Sequence, residues 1–327
     1  MSIEIIDTRD GFQQIIKDFS ATLYPQHPFP NLQCNETIDE NFDKGFVLYI
    51  NNKPAAMACV INNANFRFEN EKTACIAFYE CIENSEASHT LLHTICNYCK
   101  KQGYKHLVGP INGSTWNSYR FATETITDSF LSELFHKDYY VNQFEQFGFK
   151  TTAEYVTQID TKLTIPKVSN DVNEDISFRT LDVENYEAEI KKIFAFCTEV
   201  FQNNFLYTAI DEATFLKKYK ALKDLINPEF VLIAEHNGET VGLILALHDF
   251  YCKHEKRLII KTLARKSSLY YVGVAQELSA KVVKTALLNN YQCILHAFMH
   301  QNNASKNVSR KFSGEPFRTY KLFQKEL

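Results

Sequence analysis

Residues 258–278 of this 327-residue chain read LIIKTLARKSSLYYVGVAQEL, and this stretch decides the fold. The apolar run that starts at Leu258 predicts a buried strand, and the spacing of apolar residues from Leu278 onward predicts a helix. Gly273 and Ala275 open that helix. The first N–H groups of a helix have no acceptor within it, and small residues let an anion approach the backbone. The junction is therefore typical of a site for a phosphate group.

The composition favours a folded protein of two ordinary domains. Hydrophobic residues make up 45% of the chain and aromatic residues 13%, which is enough for a full core. The formal net charge is −4 and the pI about 6.2, so we expect no nucleic-acid partner and no anionic membrane surface. No stretch approaches a transmembrane span, and the acidic first ten residues lack the pattern of a signal peptide.

The nine cysteines are odd in number and scattered through apolar segments, which suits a reducing cytoplasm. We therefore expect a cytoplasmic protein. Cys96 and Cys99 have the spacing of a metal or redox pair, but they lie in a helical pattern without a second pair. We favour core packing for them, and no metal site is predicted.

The order of the predicted elements occurs twice along the chain. Hairpin turns at Asn51 and His236 lie 185 positions apart (236 − 51). Helix ends followed by Tyr104 and Tyr291 lie 187 positions apart (291 − 104). A repeat of both order and spacing favours two copies of one mixed α/β domain.

A polar stretch separates the two copies. Residues 162–174 contain Pro166 and few apolar residues, which predicts a linker. We therefore place one domain at 1–161 and the other at 175–327. Each is expected to be an α/β (α+β) domain with a mixed, mostly antiparallel sheet flanked by helices.

This pattern resembles the GNAT acyltransferase superfamily in its tandem form. In that superfamily, the loop between strand 4 and the next helix holds the pyrophosphate of an acyl-CoA, with the signature Gln/Arg-x-x-Gly-x-Gly/Ala. Residues 270–275, YYVGVA, keep the two small positions and replace the first polar residue with Tyr270. Asn302-x-x-Ser305 resembles the Asn-x-x-Ala/Ser pattern that follows strand 5.

The resemblance extends over nearly the whole chain. The first half resembles the amino-terminal half of a bacterial group of uncharacterised tandem GNAT proteins, at residues 77–81 (AFYEC), 109–115 (GPINGST), 138–140 (DYY) and 147–149 (FGF). In the second half, residues 203–205 (NNF) and 227–228 (NP) fit the same group. The resemblance implies two tandem GNAT-like domains, but it does not name a substrate.

The resemblance implies acetyl-CoA or another acyl-CoA as the cosubstrate, held by the second half. The pantetheine arm would run beside the strand end and the pyrophosphate would reach the helix start; the residues implied are Leu263, Ala264, Arg265, Gly273, Val274, Ala275 and Gln276. Arg265 and Lys266 would add positive charge near the phosphates. The alternative is that Gly273 only starts a helix and Arg265 is a solvated surface residue.

The first half is predicted to have lost cofactor binding. The 187-residue offset places Glu86 opposite Gly273 and Ser88 opposite Ala275. A carboxylate would oppose a pyrophosphate by about 4 kcal/mol at about 4 Å and an effective dielectric near 20. A side chain in place of hydrogen also blocks the close approach of a phosphate to the backbone. In the alternative alignment, Glu86 only caps its helix.

Acyl transfer to an amine needs a base, donors for the oxyanion and often an acid. The strand-4 glutamate that the family often uses is missing from residues 258–266, and the usual tyrosine acid falls at Ser309. His300 would replace the base and Tyr320 the acid, with a structural role as the alternative for both. Glu80 has the base position of the first half, where we expect structural hydrogen bonds.

The densest polar loop follows the predicted strand at 106–109, at the kind of strand end where α/β sites commonly lie. Arg120 would pair with a substrate carboxylate, and Trp116 would offer a flat apolar face. The residues assigned to substrate are Asn112, Ser114, Trp116, Arg120 and, from the second half, Asn302. The alternative is a structured loop that satisfies its own backbone.

Two functions fit these features. The first is a CoA-dependent N-acyltransferase that acts on an amine of a small molecule or peptide. The second is a non-catalytic tandem fold that binds a small ligand or a protein, which the missing base and acid favour. An aminoacyl transferase that resembles the Fem family is disfavoured by the acidic pI and the lack of a helical arm. The sequence sets neither the acyl chain, the acceptor nor the oligomeric state.

Overall fold

A computed structural model of the protein describes residues 1–25, 36–124, 129–165, 172–301 and 314–327. The chain divides into two units. The first unit comprises Met1–Glu154, Phe205–Thr208 and Tyr320–Leu327. The second comprises Tyr155–Asn204 and Ala209–Thr319.

The first unit contains the elements of the amino-terminal half. They are β1 (Ser2–Ile6), α1 (Arg9–Leu23), β2 (Phe42–Ile50), β3 (Lys53–Ile61), β4 (Arg67–Phe68), β5 (Glu71–Cys81), α2 (Ser85–Lys101), β6 (His106–Gly109), β7 (Phe121–Ala122) and α3 (Tyr139–Phe147). The strand β8 (Lys150–Asp160) begins here and continues into the second unit.

The second unit repeats that order. Its elements are β9 (Ser177–Thr180), α4 (Tyr186–Phe201), α5 (Glu212–Leu222), β10 (Val231–His236), β11 (Glu239–His248), β12 (Arg257–Arg265), α6 (Val274–Leu288), β13 (Cys293–His300) and the start of β14 (Glu315–Glu326). The predicted strand and helix around residues 258–278 are therefore confirmed as β12 and α6.

The strands follow the same pattern in both units. In the first unit, neighbouring strands have the order β1-β2-β3-β5-β6-β14, and in the second the order is β9-β10-β11-β12-β13-β8. The pairs in each order are antiparallel except β5 with β6 and β12 with β13, which pair in parallel. This shared pattern confirms the predicted fold class of two similar, mostly antiparallel domains.

Both predicted hairpins are present, with two-residue turns. Asn51 and Asn52 connect β2 to β3 with φ values of 50° and 60°. Asn237 and Gly238 connect β10 to β11 with φ values of 51° and 79°. Two consecutive residues with positive φ form the turn that matches the twist of a hairpin, and asparagine and glycine tolerate that conformation.

The last strand of each order comes from the other half of the sequence. From Tyr155 onward β8 belongs to the second unit, where Ile159 pairs with Leu295 of β13. Conversely, the end of β14 belongs to the first unit, where Phe323 pairs with Gly109 of β6. The two units therefore group residues differently from the domains at 1–161 and 175–327, which remain a prediction about how the duplication divides the sequence.

Each unit buries one face of its strands under helices. In the first unit, α2 buries Leu91, Leu92 and Ile95 in a cluster that includes Phe46 and Phe323. In the second, α6 buries Val274, Leu278 and Val282 against Leu258 and Ile244. Burying one large aliphatic side chain contributes about 1.5–3 kcal/mol, so these helix faces fix α2 and α6 against the strands.

Candidate functional site

The parallel strands β12 and β13 pair over only part of their length. Their register runs from Arg257 opposite Cys293 to Ile260 opposite His296, and no further parallel pair follows in these two strands. Beyond that point, β12 stays paired with β11 as far as Arg265, while the end of β13 pairs with β8 at His300. The two strands therefore part after Ile260 and leave a gap between their carboxyl-terminal halves.

An eight-residue loop, 266–273, leads from β12 to α6. It contains a 3₁₀ turn at Leu269–Tyr271 and ends at Gly273, whose φ of 87° is left-handed. A residue with a Cβ rarely adopts that conformation, so glycine suits this position. The helix begins at Val274, and the first N–H groups of an α-helix have no acceptor within the helix. The structure thus places the predicted Gly273, Val274, Ala275 and Gln276 at one helix start.

A second glycine lets α6 approach the strands closely. A Cβ built on Gly242 of β11 would lie 2.6 Å from Cγ1 of Val274 and 3.2 Å from Cδ1 of Leu278. The helix start is therefore held directly against β11, beside the strand β12 that carries Leu263 and Ala264. The side chains of Leu263 and Ala264 are half-buried.

The two basic side chains near the helix start interact with other groups of the protein. Nη1 of Arg265 donates to the carbonyls of Lys266 and Ser268 over 2.7 and 3.0 Å. Nζ of Lys266 lies 3.0 Å from Glu199 and 3.4 Å from Glu239. Arg265 therefore fixes the shape of the loop, and two carboxylates balance the charge of Lys266.

A polar cluster that the sequence did not reveal braces the same loop. The hydroxyl of Tyr270 donates to Oδ2 of Asp175, and Nε2 of His236 lies 3.1 Å from the same carboxylate. The His236 and Tyr270 rings stack with their centroids 5.0 Å apart, and the Tyr271 hydroxyl lies 3.2 Å from Nδ1 of His236. The hydrogen bond from Tyr270 and the nearby His236 hold the pKa of Asp175 below its usual value.

The histidines of β13 have different environments. His296 is buried, and burial lowers its pKa to about 4, although Asp160 acts in the opposite direction. It is therefore neutral near pH 7. His300 is half-buried past the point where β12 and β13 part, and the Tyr155 ring packs edge-on against it at 5.1 Å.

The structure does not place Tyr320 in the same unit as His300. Tyr320 belongs to the first unit and His300 to the second. The buried hydroxyl of Tyr320 donates to Oε1 of Glu133 over 2.6 Å. This contact is consistent with the structural role that is the alternative for Tyr320, and its role as the acid stays a prediction.

The predicted substrate loop makes many contacts within the first unit. The amide of Asn112 accepts from the Asp39 backbone over 2.9 Å and donates to the Thr37 carbonyl over 3.1 Å. The indole N–H of Trp116 donates to the carbonyl of Thr208 over 2.9 Å.

The other two loop residues assigned to substrate lie inside the unit. Ser114 and Arg120 are both buried. The guanidinium of Arg120 lies over the ring of Tyr119 at 4.0 Å. Asn302 lies outside the residues that the structure describes.

The first unit lacks the long loop of the second. Only residues 82–84 connect β5 to α2, against eight residues between β12 and α6. Asn84 caps α2 by accepting from the backbone of Ala87 over 2.9 Å. Glu86 lies exposed in the first turn, where a carboxylate is favoured by the helix dipole. Asn84, and not Glu86 as in the alternative alignment, therefore caps this helix, and the loss of cofactor binding in the first half stays a prediction.

Glu80 lies at the centre of a buried polar cluster of the first unit. Its Oε2 accepts from the hydroxyls of Tyr24 and Tyr140, each over 2.6 Å. Burial raises the pKa of Glu80 to about 7, while the two tyrosine hydrogen bonds lower it. Within the described ranges, Oε1 has no hydrogen-bond partner. Glu80 therefore forms the structural hydrogen bonds expected of it.

Comparison with known proteins identifies this architecture. No protein-family model matches the sequence. Among curated proteins, too, no sequence matches. A solved tandem GNAT protein from the clavulanic acid biosynthesis pathway superimposes over 99% of this chain and 98% of its own, with a TM-score of 0.59 at 8% identity. The chain has the tandem GNAT fold.

Two further structures agree with this tandem GNAT fold. A GCN5-related N-acetyltransferase from Sphaerobacter thermophilus matches 99% of the chain and 95% of its own, with a TM-score of 0.55 at 11% identity. The glucosamine N-acetyltransferase region of a fungal multi-domain GH3 β-N-acetylglucosaminidase matches 99% of the chain, with a TM-score of 0.59 at 13% identity. The chain spans only 38% of that fungal protein. Identities this low show a shared fold alone.

In the part of the chain that the structure describes, no helix is long and apolar enough to cross a membrane.

Proposed function

We propose that the protein is an acyl-CoA-dependent N-acyltransferase that acylates an amine of a small molecule or peptide, with acetyl-CoA or another acyl-CoA bound in the second unit. One observation carries this proposal. The strands β12 and β13 part after Ile260 and His296, and the helix that follows β12 begins at the left-handed Gly273. A gap between parallel strands offers backbone groups to an amide-bearing chain, and a helix start attracts phosphate.

In the proposed complex, backbone groups contact the acyl-CoA more directly than basic side chains do. Leu263 and Ala264 would face the pantetheine arm, and the N–H groups of Val274 and Ala275 would donate to the pyrophosphate. Arg265 would act indirectly, because its guanidinium already holds two loop carbonyls. Glu277, also in the first turn, pairs with Lys281 over 3.1 Å, which offsets its negative charge.

His300 is the residue we assign to proton transfer. It lies on β13 past the point where β12 departs, so it borders the gap that would hold the thioester. A neutral imidazole there would accept a proton from the incoming ammonium, directly or through water. The amine nitrogen would then bond to the acyl carbon, the carbon–sulfur bond would break, and the CoA thiolate would take up the second proton that the nitrogen loses.

The class of acceptor is supported by the comparisons. Structures with this fold include proteins described as N-acetyltransferases, one of them for glucosamine. An amine is therefore the acceptor class we propose, without a choice between a small molecule and a peptide.

The proposal is tested by turnover. The full-length chain is mixed with acetyl-CoA and a panel of amino sugars, polyamines and peptides, and released CoA thiol and acetylated product are measured. We expect product with at least one amine, and a rate lowered at least about tenfold in His300→Gln. His93→Gln, at an exposed histidine of α2, serves as the control and should keep the wild-type rate.

Two outcomes would overturn parts of this proposal. Absence of thiol release with every amine, in a protein that binds acetyl-CoA, would leave a non-catalytic binding protein. An unchanged rate in His300→Gln would remove His300 from proton transfer.

A further inference from the structure

The loop between β11 and β12 carries a group of metal-binding side chains far from the proposed cofactor site. Sγ of Cys252, a ring nitrogen of His254 and a carboxylate oxygen of Glu255 all lie within 4.8 Å of one another. The loop meets β12 at Arg257, and the cofactor loop leaves β12 at Arg265. The nine residues from Arg257 to Arg265 separate these ends by about 26 Å. The cluster is therefore independent of the proposed acyl-CoA site.

A fourth side chain comes from the neighbouring strand. Cys293, the first residue of β13, lies with its Sγ 3.3 Å from Oε1 of Glu255. The parallel register explains this position, because Cys293 lies opposite Arg257 at the foot of the loop. A second thiol, from the strand, therefore lies beside the carboxylate of the loop cluster.

Three of the spacings among these atoms are close to the edges of a coordination tetrahedron. Zinc bonds of about 2.3 Å to sulfur and about 2.0–2.2 Å to nitrogen or oxygen place neighbouring ligand atoms about 3.3–3.8 Å apart. Here, Nε2 of His254 lies 3.7 Å from Sγ of Cys252 and 3.9 Å from Oε1 of Glu255. The contact of Cys293 with Glu255, at 3.3 Å, is a third such edge.

Metal binds the thiolate form of cysteine. Burial and the carboxylate of Glu255 raise the pKa of the Cys293 thiol, whereas Arg257 acts in the opposite direction. The guanidinium of Arg257 is close enough to Cys252 and Cys293 to interact with both electrostatically. Its own charge is partly balanced by Asp249, whose Oδ2 it contacts at 2.7 Å. This buried ion pair joins the two ends of the loop. The backbone N–H of Asp249 also donates to the Arg257 carbonyl over 2.9 Å.

Exposure also suits metal entry. The two cysteines are buried, whereas the side chain of His254 is 64% exposed and that of Glu255 is 28% exposed. An ion can therefore reach the cluster from solvent while its sulfur ligands stay within the protein.

We propose that Cys252, His254, Glu255 and Cys293 bind a structural zinc ion that ties the β11–β12 loop to β13. Two thiolates, one imidazole and one carboxylate are ligands that zinc accepts in tetrahedral sites. Each bound thiol releases its proton to solvent. This site was not predicted from the sequence, because Cys293 lies 38 residues from Glu255 and no motif joins them.

The zinc content of the full-length protein tests the proposal. The chain is loaded with zinc, dialysed against metal-free buffer and analysed by mass spectrometry of the metal. We expect about one zinc ion per chain in the wild type. In His254→Gln and Cys252→Ser, an affinity for zinc lowered at least about tenfold should appear as a loss of retained zinc. Lys253→Gln, at an exposed position of the same loop, is the matched control and should bind as the wild type does.

Cobalt substitution tests the part played by sulfur. Thiolate-to-cobalt charge-transfer absorption is expected in the wild type and should weaken in Cys293→Ser. Because Cys293 is buried, its variant could misfold, so circular dichroism is recorded for each protein. If Cys293→Ser proves to be unfolded, the result with His254→Gln is the one that tests the site. A wild type that retains no zinc, or a folded His254→Gln and Cys252→Ser that retain it fully, would overturn the site.

Discussion

The hydroxyl of Tyr140 donates to Oε2 of Glu80 over 2.6 Å, inside a core that buries both residues. Tyr24 donates to the same oxygen. These hydrogen bonds favour the charged carboxylate, whereas burial disfavours it. Burial prevails, so the pKa of Glu80 is raised to about 7.

Replacing Glu80 by Gln should change the pH dependence of stability. The folded pKa of about 7 exceeds the ordinary value of 4.5, so the folded state binds this proton more tightly than the unfolded chain. The contribution of this proton to the free energy of unfolding is fully present below about pH 4.5. About 3 kcal/mol of it is lost as the pH rises to about 7. Urea unfolding of both proteins across this range should show a loss in the wild type that Glu80→Gln lacks. Equal slopes in the two proteins would contradict the prediction.

Replacing Tyr140 by Phe should move the Glu80 titration upward. The variant removes one hydrogen bond to the charged carboxylate, so the pKa of Glu80 should rise above its value in the wild type. Carboxyl ¹³C chemical shifts followed against pH report this directly. Tyr139→Phe is the control, because Tyr139 donates to the carbonyl of Cys81 and not to Glu80. A larger shift in the control than in Tyr140→Phe would contradict the assignment.

Replacing Gly242 by Ala should destabilise the second unit. The added Cβ would lie 2.6 Å from Cγ1 of Val274, and overpacking of this kind costs about 1–3 kcal/mol. The melting temperature should therefore fall. The double variant Gly242→Ala, Val274→Ala removes the nearest clashing methyl and should lose less stability than the two single changes added together. Additive losses would show that the two residues do not compete for the same space.

Replacing Arg265 by Ala should loosen the loop at the start of α6. The variant removes the donors to the carbonyls of Lys266 and Ser268. Hydrogen exchange across residues 266–272 should become faster, while exchange in the buried part of β12 stays unchanged. Lys261→Ala, at an exposed position earlier on the same strand, serves as the control. Equal exchange in the wild type and Arg265→Ala would contradict the bracing role.

The sequence predicted those features that depend on local patterns. Apolar spacing and turn residues located β12, α6 and the hairpin turns at Asn51 and Asn237, because each is set by neighbouring residues. The repeated spacing of these elements also predicted two similar domains, and the resemblance to the GNAT family predicted their fold.

Contacts between distant residues could not be predicted in this way. The strands β8 and β14 have similar strand patterns, and periodicity does not say which neighbours they pair with. Asp175 and Tyr270 lie 95 positions apart, so no motif joins them before the chain folds. The position of Arg265 in the sequence predicts a place near the phosphates, but it does not show that its Nη1 donates to the loop carbonyls.

The central claim is that the start of α6 holds the pyrophosphate of an acyl-CoA. Calorimetric titration of acetyl-CoA and of CoA tests it most directly, with the wild type, Gly273→Glu and Ala275→Glu. Leu288→Glu, which adds the same charge at the exposed far end of α6, is the control. We predict binding by the wild type and by Leu288→Glu, and at least about tenfold weaker binding by the two helix-start variants. No binding by the wild type, or equal binding by all four proteins, would contradict the account.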